Sequence, residues 1–112
     1  MGAGAQLTVT DLRRAARHPV DHKVIGEHRR LGDVHLHVVN LSAHGFMVEG
    51  APDMERGERV VIRLPELGRI EAHLIWLAEG RAGFQFERII RLDDFIRMID
   101  AIQPNPRLRK SR

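Results

Sequence analysis

The sequence contains no cysteine and no tyrosine, and its aromatic residues are limited to one tryptophan and four phenylalanines. Without cysteine the chain cannot form a disulfide, a thiolate nucleophile or a cysteine-ligated zinc site, so a reducing, intracellular compartment is the natural expectation. No apolar run reaches the roughly 20 residues that span a bilayer, and the first residues lack the basic start and apolar stretch of a signal peptide. We therefore expect a soluble, cytoplasmic protein.

Length and charge indicate one domain with a basic tail. The 112 residues, of which 43% are hydrophobic, are enough for a single modest core. Residues 104–112 carry four basic residues and no acidic one, which leaves 14 basic against 15 acidic residues in the rest of the chain. We predict a flexible N-terminus over residues 1–11, a folded domain over 12–103 and a disordered basic tail over 104–112.

Alternating apolar and polar residues predict about six strands, bounded by glycine, proline and aspartate, as is typical of an all-β barrel or sandwich. In residues 34–39 the apolar side chains share one face, while His35 and His37 share the other. The same alternation predicts that Trp76, Phe84 and Phe86 face the core. The strands are predicted at residues 20–27, 34–39, 45–49, 59–64, 70–76 and 84–86.

One helix is predicted from Asp93 to Ile102, and Pro104 prevents its continuation. The Asp93-Asp94 pair at its start suits both an N-cap and the helix dipole. Apolar residues at spacings of three and four predict that one face of the helix lies on the β-domain. This stripe consists of Leu92, Phe95, Ile96, Ile99 and Ile102.

The polar residues favour neither a catalytic nor a metal site. Ser42 and His44 lack the strand-turn-helix context of a serine nucleophile, and the acidic residues show no arrangement typical of paired catalytic carboxylates, so we predict that the protein is not an enzyme. His35 and His37 project from one strand face, but they do not complete a metal site, and only His73 on another strand could join them. We expect these histidines to face solvent and predict no metal and no cofactor.

An R-x-x-x-R spacing occurs at Arg13 and Arg17, with Arg14 inside it. The spacing alone is a weak signal, because about two such pairs are expected by chance in so arginine-rich a chain. Arg59 and Arg63 form a second pair within a predicted strand, where we expect a solvated strand edge. A guanidinium is a planar fork that binds phosphate bidentately or stacks on a base, so the first pair suits a phosphate-bearing nucleotide.

Asn40, Ser42 and Gly45 form a rarer motif, N-x-S-x-x-G, which ends the second predicted strand. The amide and hydroxyl offer fixed hydrogen-bonding groups, and Gly45 allows either a positive φ or a close backbone approach. The alternative is an ordinary turn in which Asn40 and Ser42 bond their own backbone. His44 lies within the motif and faces either a ligand or the solvent.

With the arginine pair before the first strand and the Asn40–Gly45 turn after the second, the chain resembles the PilZ domain, a family of bacterial receptors for cyclic di-GMP. The resemblance covers roughly residues 12–90 plus the C-terminal helix, and includes Ile75-Trp76 followed by Gly83-Phe84-Gln85-Phe86. It implies an all-β fold, a six-stranded antiparallel β-barrel with a C-terminal α-helix. It also implies a ligand site in which the arginines contact phosphates and guanine edges and the turn forms the barrel side. The predicted ligand-binding residues are Arg13, Arg14, Arg17, Asn40, Ser42 and Gly45.

The leading hypothesis is therefore a cyclic di-GMP receptor whose N-terminal segment folds over the barrel when the ligand binds. By the same resemblance it signals to a downstream partner protein, of motility or exopolysaccharide machinery. Two alternatives stay open: a protein-interaction module that keeps the fold without binding nucleotide, and a small barrel that binds single-stranded nucleic acid through its basic segments. Against the last, aromatics are only 4% of residues and occupy predicted core positions, which leaves no stacking platform.

Overall fold

The computed structural model describes residues 16–50 and 52–102, and within them six antiparallel strands form a closed barrel followed by one helix. Arg13, Arg14, the predicted flexible N-terminus and the predicted C-terminal tail lie outside these residues. Around the barrel the strands follow in the order β1-β2-β3-β6-β5-β4. The fold class implied by the resemblance is confirmed. The elements are β1 His18–His28, β2 Gly32–Leu41, β3 Gly45–Glu49, β4 Arg59–Leu64, β5 Gly68–Ala78, β6 Arg81–Phe86 and α1 Leu92–Ala101.

Apolar side chains from alternate strand positions fill the barrel interior. On β2, Val34, Leu36 and Val38 are buried while the intervening histidines face outward, as the alternation predicts. Phe46 of β3 stacks on Phe84 of β6 with ring centroids 4.7 Å apart. Such aromatic pairs add about 0.5–1.5 kcal/mol beyond the area they bury. The paired strands β3 and β6 are therefore firmly fixed on their inner side.

Phe95 and Met98 of helix α1 and its C-cap residue Ile102 are buried in the core cluster. The predicted apolar stripe is partly wrong, because Met98 belongs to the buried face whereas Ile96 is 45% exposed. Successive side chains on a helix point in directions about 100° apart. A small rotation of the helix about its axis therefore changes which residues lie at the edges of its buried face. No helix among the described residues is long and apolar enough to cross a membrane.

The start of α1 differs from the predicted capped one. Arg91 is the N-cap residue, and no side chain makes a capping hydrogen bond. Asp93 and Asp94 lie in the first turn instead, where their negative charge still interacts favourably with the helix dipole. The predicted dipole interaction is thus retained and the predicted aspartate cap is wrong.

Buried His28 anchors the turn between β1 and β2. Its Nδ1 accepts hydrogen bonds from the backbone N–H groups of Arg30 and Leu31, at 3.1 and 2.9 Å, so its Nε2–H donates to Glu58 Oε1 at 3.0 Å. The Arg30 guanidinium and the backbone N–H of Glu55 also donate to Glu58. These hydrogen bonds, led by that of Arg30, lower the pKa of Glu58 to about 2.

The barrel is closed over only a short stretch. Among the described residues, β1 pairs with β4 only at Glu27 with Val61 and at His28 with Val60. Towards the start of β1 the two strands separate, and a cavity of about 1310 Å³ opens between them. We call this opening the seam groove; its lining includes Lys23, Val24, Ile62, Arg63 and Glu66.

Candidate functional site

The residues of the N-x-S-x-x-G motif meet Arg17 on the outer surface of the barrel, over the β3–β6 pair. A cavity of about 120 Å³ lies there. We call this region the Trp76 face. Its lining consists of Arg17, Asn40, Ser42, His44, Gly45, Phe46, Ile75, Trp76, Gly83, Phe84 and Gln85.

A β-bulge in β5 places Trp76 on this face instead of in the core. Leu74 pairs with Phe84 and Trp76 with Gly83, so Ile75 is an extra residue between two successive pairs. An extra residue moves the following side chain to the opposite face of the strand. Leu74 is buried, whereas Trp76 is partly exposed. The prediction that Trp76 faces the core is therefore wrong, because it assumed strict alternation of side chains along β5 and the bulge interrupts that alternation.

A second bulge, in β2, has the same effect on Asn40. The pairing with β3 passes from Val38 directly to Asn40, so Val39 is the extra residue. Strict alternation from Val38 would place Asn40 in the core, but the bulge turns its amide outward and sends Leu41 inward. Bulges beside functional sites commonly redirect a side chain in this way.

Ser42 holds the turn that connects β2 to β3. Its backbone N–H donates to the Gly45 carbonyl oxygen at 2.9 Å, and its Oγ accepts from the N–H groups of His44 and Gly45 at 3.1 and 3.3 Å. The ordinary-turn alternative therefore describes Ser42 in part. These two bonds use the acceptor capacity of the Ser42 hydroxyl. Its O–H is left as a donor for an acceptor such as a phosphate oxygen.

Two glycines of the Trp76 face are required by close packing. A Cβ on Gly45 would lie 2.0 Å from the Phe84 carbonyl oxygen, and a Cβ on Gly83 would lie 2.0 Å from Trp76 Nε1. Gly45 thus serves the close backbone approach, the second of the two roles predicted for it. Because Gly83 has no side chain, the indole of Trp76 covers the β6 backbone and keeps its other side towards solvent.

The electrostatic character of the Trp76 face is positive to neutral. Its lining contains Arg17 and His44 but no carboxylate. Apart from the two bonds to Ser42 Oγ, the side-chain hydrogen bonds and ion pairs formed among the described residues lie elsewhere on the barrel, and none of them involves the side chain of Arg17, Asn40 or Gln85. The face therefore offers hydrogen-bonding groups and positive charge to an anionic ligand.

The cavity is too small to enclose a nucleotide. Ligand pockets usually measure about 300–1,000 Å³, whereas this cavity measures about 120 Å³. The described residues alone therefore do not enclose a nucleotide, and Arg17 is the lining residue closest in sequence to residues 1–15. Arg13 and Arg14 lie outside the described residues, so their part in the site stays a prediction.

Sequence reasoning missed Trp76 and Gln85 as candidate site residues. Both lie in the segments that carried the family resemblance, but the strand pattern assigned the tryptophan to the core. The one local signal was Gly83, since a glycine between buried strand residues marks a close approach. The partly exposed indole at the cavity also corrects the expectation that every aromatic ring lies in the core.

The other predicted surface features lie away from this face. Arg59, of the second arginine pair, makes exposed ion pairs with Glu71 and Glu87, both at 3.4 Å. His37 Nε2 lies 2.6 Å from Asp21 Oδ1. Within residues 16–50 and 52–102 no three side chains form a cluster that could hold a metal ion.

Comparison with known families gives a match over most of the chain. The sequence model of the PilZ domain matches residues 11–102, a range that contains both motifs, the six strands and the helix. A search of curated proteins found no match. PilZ domains are binding and adaptor domains and not enzymes. The chain therefore belongs to the PilZ domain family.

Proposed function

We propose that this domain is a receptor for cyclic di-GMP, which it binds at the Trp76 face, and that binding changes its N-terminal segment and so signals to a partner protein. The family is generally one of cyclic di-GMP receptors. The observation that carries the proposal is the combination, among the described residues of one surface, of a partly exposed indole, an arginine without an ion pair to them and no carboxylate.

The chemistry of the ligand matches that of the face. Cyclic di-GMP presents two phosphodiester charges and two guanine bases. A guanine stacked on Trp76 would gain about 1–3 kcal/mol, the usual value for a base on an aromatic side chain. The Arg17 guanidinium can donate bidentately to phosphate or to guanine O6 and N7. The Ser42 O–H is a further donor to phosphate.

The small cavity explains the role proposed for the N-terminal segment. Because the described residues supply one wall, we infer that the residues around Arg13 and Arg14 supply the opposite wall when the ligand is bound. Two further guanidinium groups would bind the remaining phosphate and guanine acceptors. When the ligand holds this segment against the barrel, the protein presents a different surface to a partner than it does without ligand.

Calorimetric titration of the purified protein with cyclic di-GMP tests the proposal. We expect binding, and we expect Arg17→Ala to weaken it about tenfold or more, because a charge-assisted hydrogen bond contributes about 1.5–3 kcal/mol. Arg63→Ala is the matched control: it removes the same group from the surface at the seam groove and should leave the affinity unchanged.

Three outcomes contradict the proposal. The first is no binding at ligand concentrations of about 100 μM, which corresponds to less than roughly 5.5 kcal/mol of binding free energy. The second is an equal loss in the Arg17 and Arg63 variants, which indicates nonspecific charge attraction. The third is equal binding of a single-stranded oligonucleotide with a steep salt dependence, which supports nucleic-acid binding instead.

A further inference from the structure

We propose that Gln85 determines base specificity at the Trp76 face, with its side-chain Oε1 accepting a hydrogen bond from the exocyclic N2 amino group of a guanine stacked on Trp76. The inference rests on the proposed function, since it needs a base on the indole. It concerns which base the site selects.

The position of Gln85 on β6 brings its amide within reach of such a base. Gln85 lies two residues after Gly83, the residue that the indole covers, and on the same outer side of the strand. Two residues along a strand span about 6.6 Å. A base stacked on the indole extends beyond it by several ångströms, so its edge comes close to a glutamine side chain at this distance.

The neighbours of Gln85 leave its amide free to turn towards the site. Its partner on β3 is Gly45, so the amide meets no side chain of its cross-strand neighbour on that side. Its partner on β5 is His73, which lies 3.9 Å from Glu87. No hydrogen bond joins the Gln85 amide to another residue in the described part of the chain, and the residue lines the cavity.

The hydrogen-bonding inventory of the face assigns the acceptor role to Gln85. Arg17 has only donors, and Ser42 has used its acceptor capacity in the turn and keeps one donor. These groups serve phosphate oxygens and guanine O6 and N7. The N–H groups of guanine need an acceptor, and the face contains no carboxylate. The remaining side-chain acceptors are the amides of Asn40 and Gln85 and the ring of His44. Of these three residues, only Gln85 is on β6, the strand beneath the indole.

Cyclic di-IMP tests this contact directly, because hypoxanthine is guanine without the N2 amino group. We expect the wild-type protein to bind cyclic di-GMP about 2- to 10-fold more tightly than cyclic di-IMP, the range of a neutral hydrogen bond. Gln85→Ala should lose that factor for cyclic di-GMP and bind cyclic di-IMP as the wild type does. Gln85→Glu keeps an acceptor and should retain the preference, even if its added charge lowers both affinities.

The outcomes separate this inference from the proposed function. If the wild-type protein binds neither ligand, the proposed function fails. If it binds cyclic di-GMP and Gln85→Ala keeps the wild-type preference, the receptor proposal stands and the inference is wrong. An equal loss for both ligands also overturns it, because the contact would then involve a group that the two bases share. Gln85 is exposed, so the variants should fold, which their circular dichroism spectra would verify.

Discussion

The seam groove and the Trp76 face are both concave, but they differ in size and in the chemistry of their linings. The groove measures about 1310 Å³ and the cavity of the face about 120 Å³. The groove combines Lys23 and Arg63 with Asp33 and Glu66, so it favours neither sign of ligand charge. The Trp76 face combines one sign of charge with a stacking surface. The lining, and not the volume, is therefore the reason that we propose the Trp76 face as the nucleotide site.

The two regions also arise differently. The groove forms because β1 and β4 separate after a two-residue pairing, and the open edge of β1 carries Pro19 and Lys23, residue types that discourage a strand edge from pairing with another chain. A bidentate ion pair between Glu27 and Arg69, at 3.1 and 3.5 Å, lies at its lining. The Trp76 face instead depends on two bulges and two closely packed glycines. Two mutational comparisons, a fluorescence measurement and a pH experiment test these differences.

Alanine at a glycine of each region should give the largest contrast. Gly45→Ala should lower the free energy of unfolding by about 3 kcal/mol, because the new Cβ forces β3 away from β6. Gly68→Ala at the groove should cost about 1 kcal/mol, since Gly68 has a φ of +78° and no atom within 4 Å of its added Cβ. Urea denaturation measures both values. Equal losses would mean that the close approach at Gly45 relaxes freely.

Removal of the indole should affect binding and spare the core. Trp76→Ala should weaken cyclic di-GMP binding about 10- to 100-fold in calorimetry, through the loss of stacking. Ile25→Ala removes a 50% exposed side chain at the groove and should leave the affinity unchanged. Because Trp76 lies outside the core, its removal should cost much less stability than the about 3–5 kcal/mol of a core aromatic. A loss of unfolding free energy as large as that of a core aromatic would contradict the outward position of Trp76.

Fluorescence offers an independent measurement of the same contact. Trp76 is the single tryptophan of the chain, which has no tyrosine, so the intrinsic emission reports on this face. We expect cyclic di-GMP to change the emission of the wild type and of Arg63→Ala with the same dependence on ligand concentration. Calorimetric binding without any change in emission would place the ligand elsewhere, the groove included.

Acid should weaken the fold through Glu58 without involving the Trp76 face. The pKa of Glu58 is lowered from 4.5 to about 2 in the folded protein, so its contribution to stability is complete above pH 4.5 and is lost as the pH falls towards 2. Glu58→Gln should therefore show a smaller loss of unfolding free energy over that interval than the wild type. Parallel curves for the two proteins in urea denaturation would show that the Arg30 and His28 contacts do not stabilise the carboxylate.

Much of the fold could be predicted because strand patterns are local. Strands at residues 45–49 and 59–64 have the predicted bounds, and the other strands extend beyond the predicted ones by a few residues. The predictions that failed concern features that depend on neighbouring strands distant in sequence. The extra residues at Val39 and Ile75 exist only relative to β3 and β6, so no pattern within β2 or β5 reveals them. The seam groove likewise depends on how far β1 pairs with β4.

The candidate site was predicted in part for the same reason. Asn40, Ser42 and Gly45 form a contiguous motif, and the structure brings them together with Arg17. Trp76 and Gln85 belong to two other strands, and their place in the site depends on strand order and on the β5 bulge. Their ligand contacts, like those of the arginines before Arg17, remain predictions for binding experiments.

The extra residue at Ile75 has a consequence for how such domains diverge. The bulge turns the Trp76 side chain outward from a strand that also contributes Leu74 to the core. The residues that we propose to contact the ligand are therefore different from those that form the core. Under the proposed function, mutations at Trp76 or Gln85 would change or abolish ligand selection while Leu74 and Phe84 continue to hold the barrel together. A lineage could therefore exchange one ligand for another, or lose ligand binding and keep only protein partners, by ordinary surface substitutions on an unchanged scaffold.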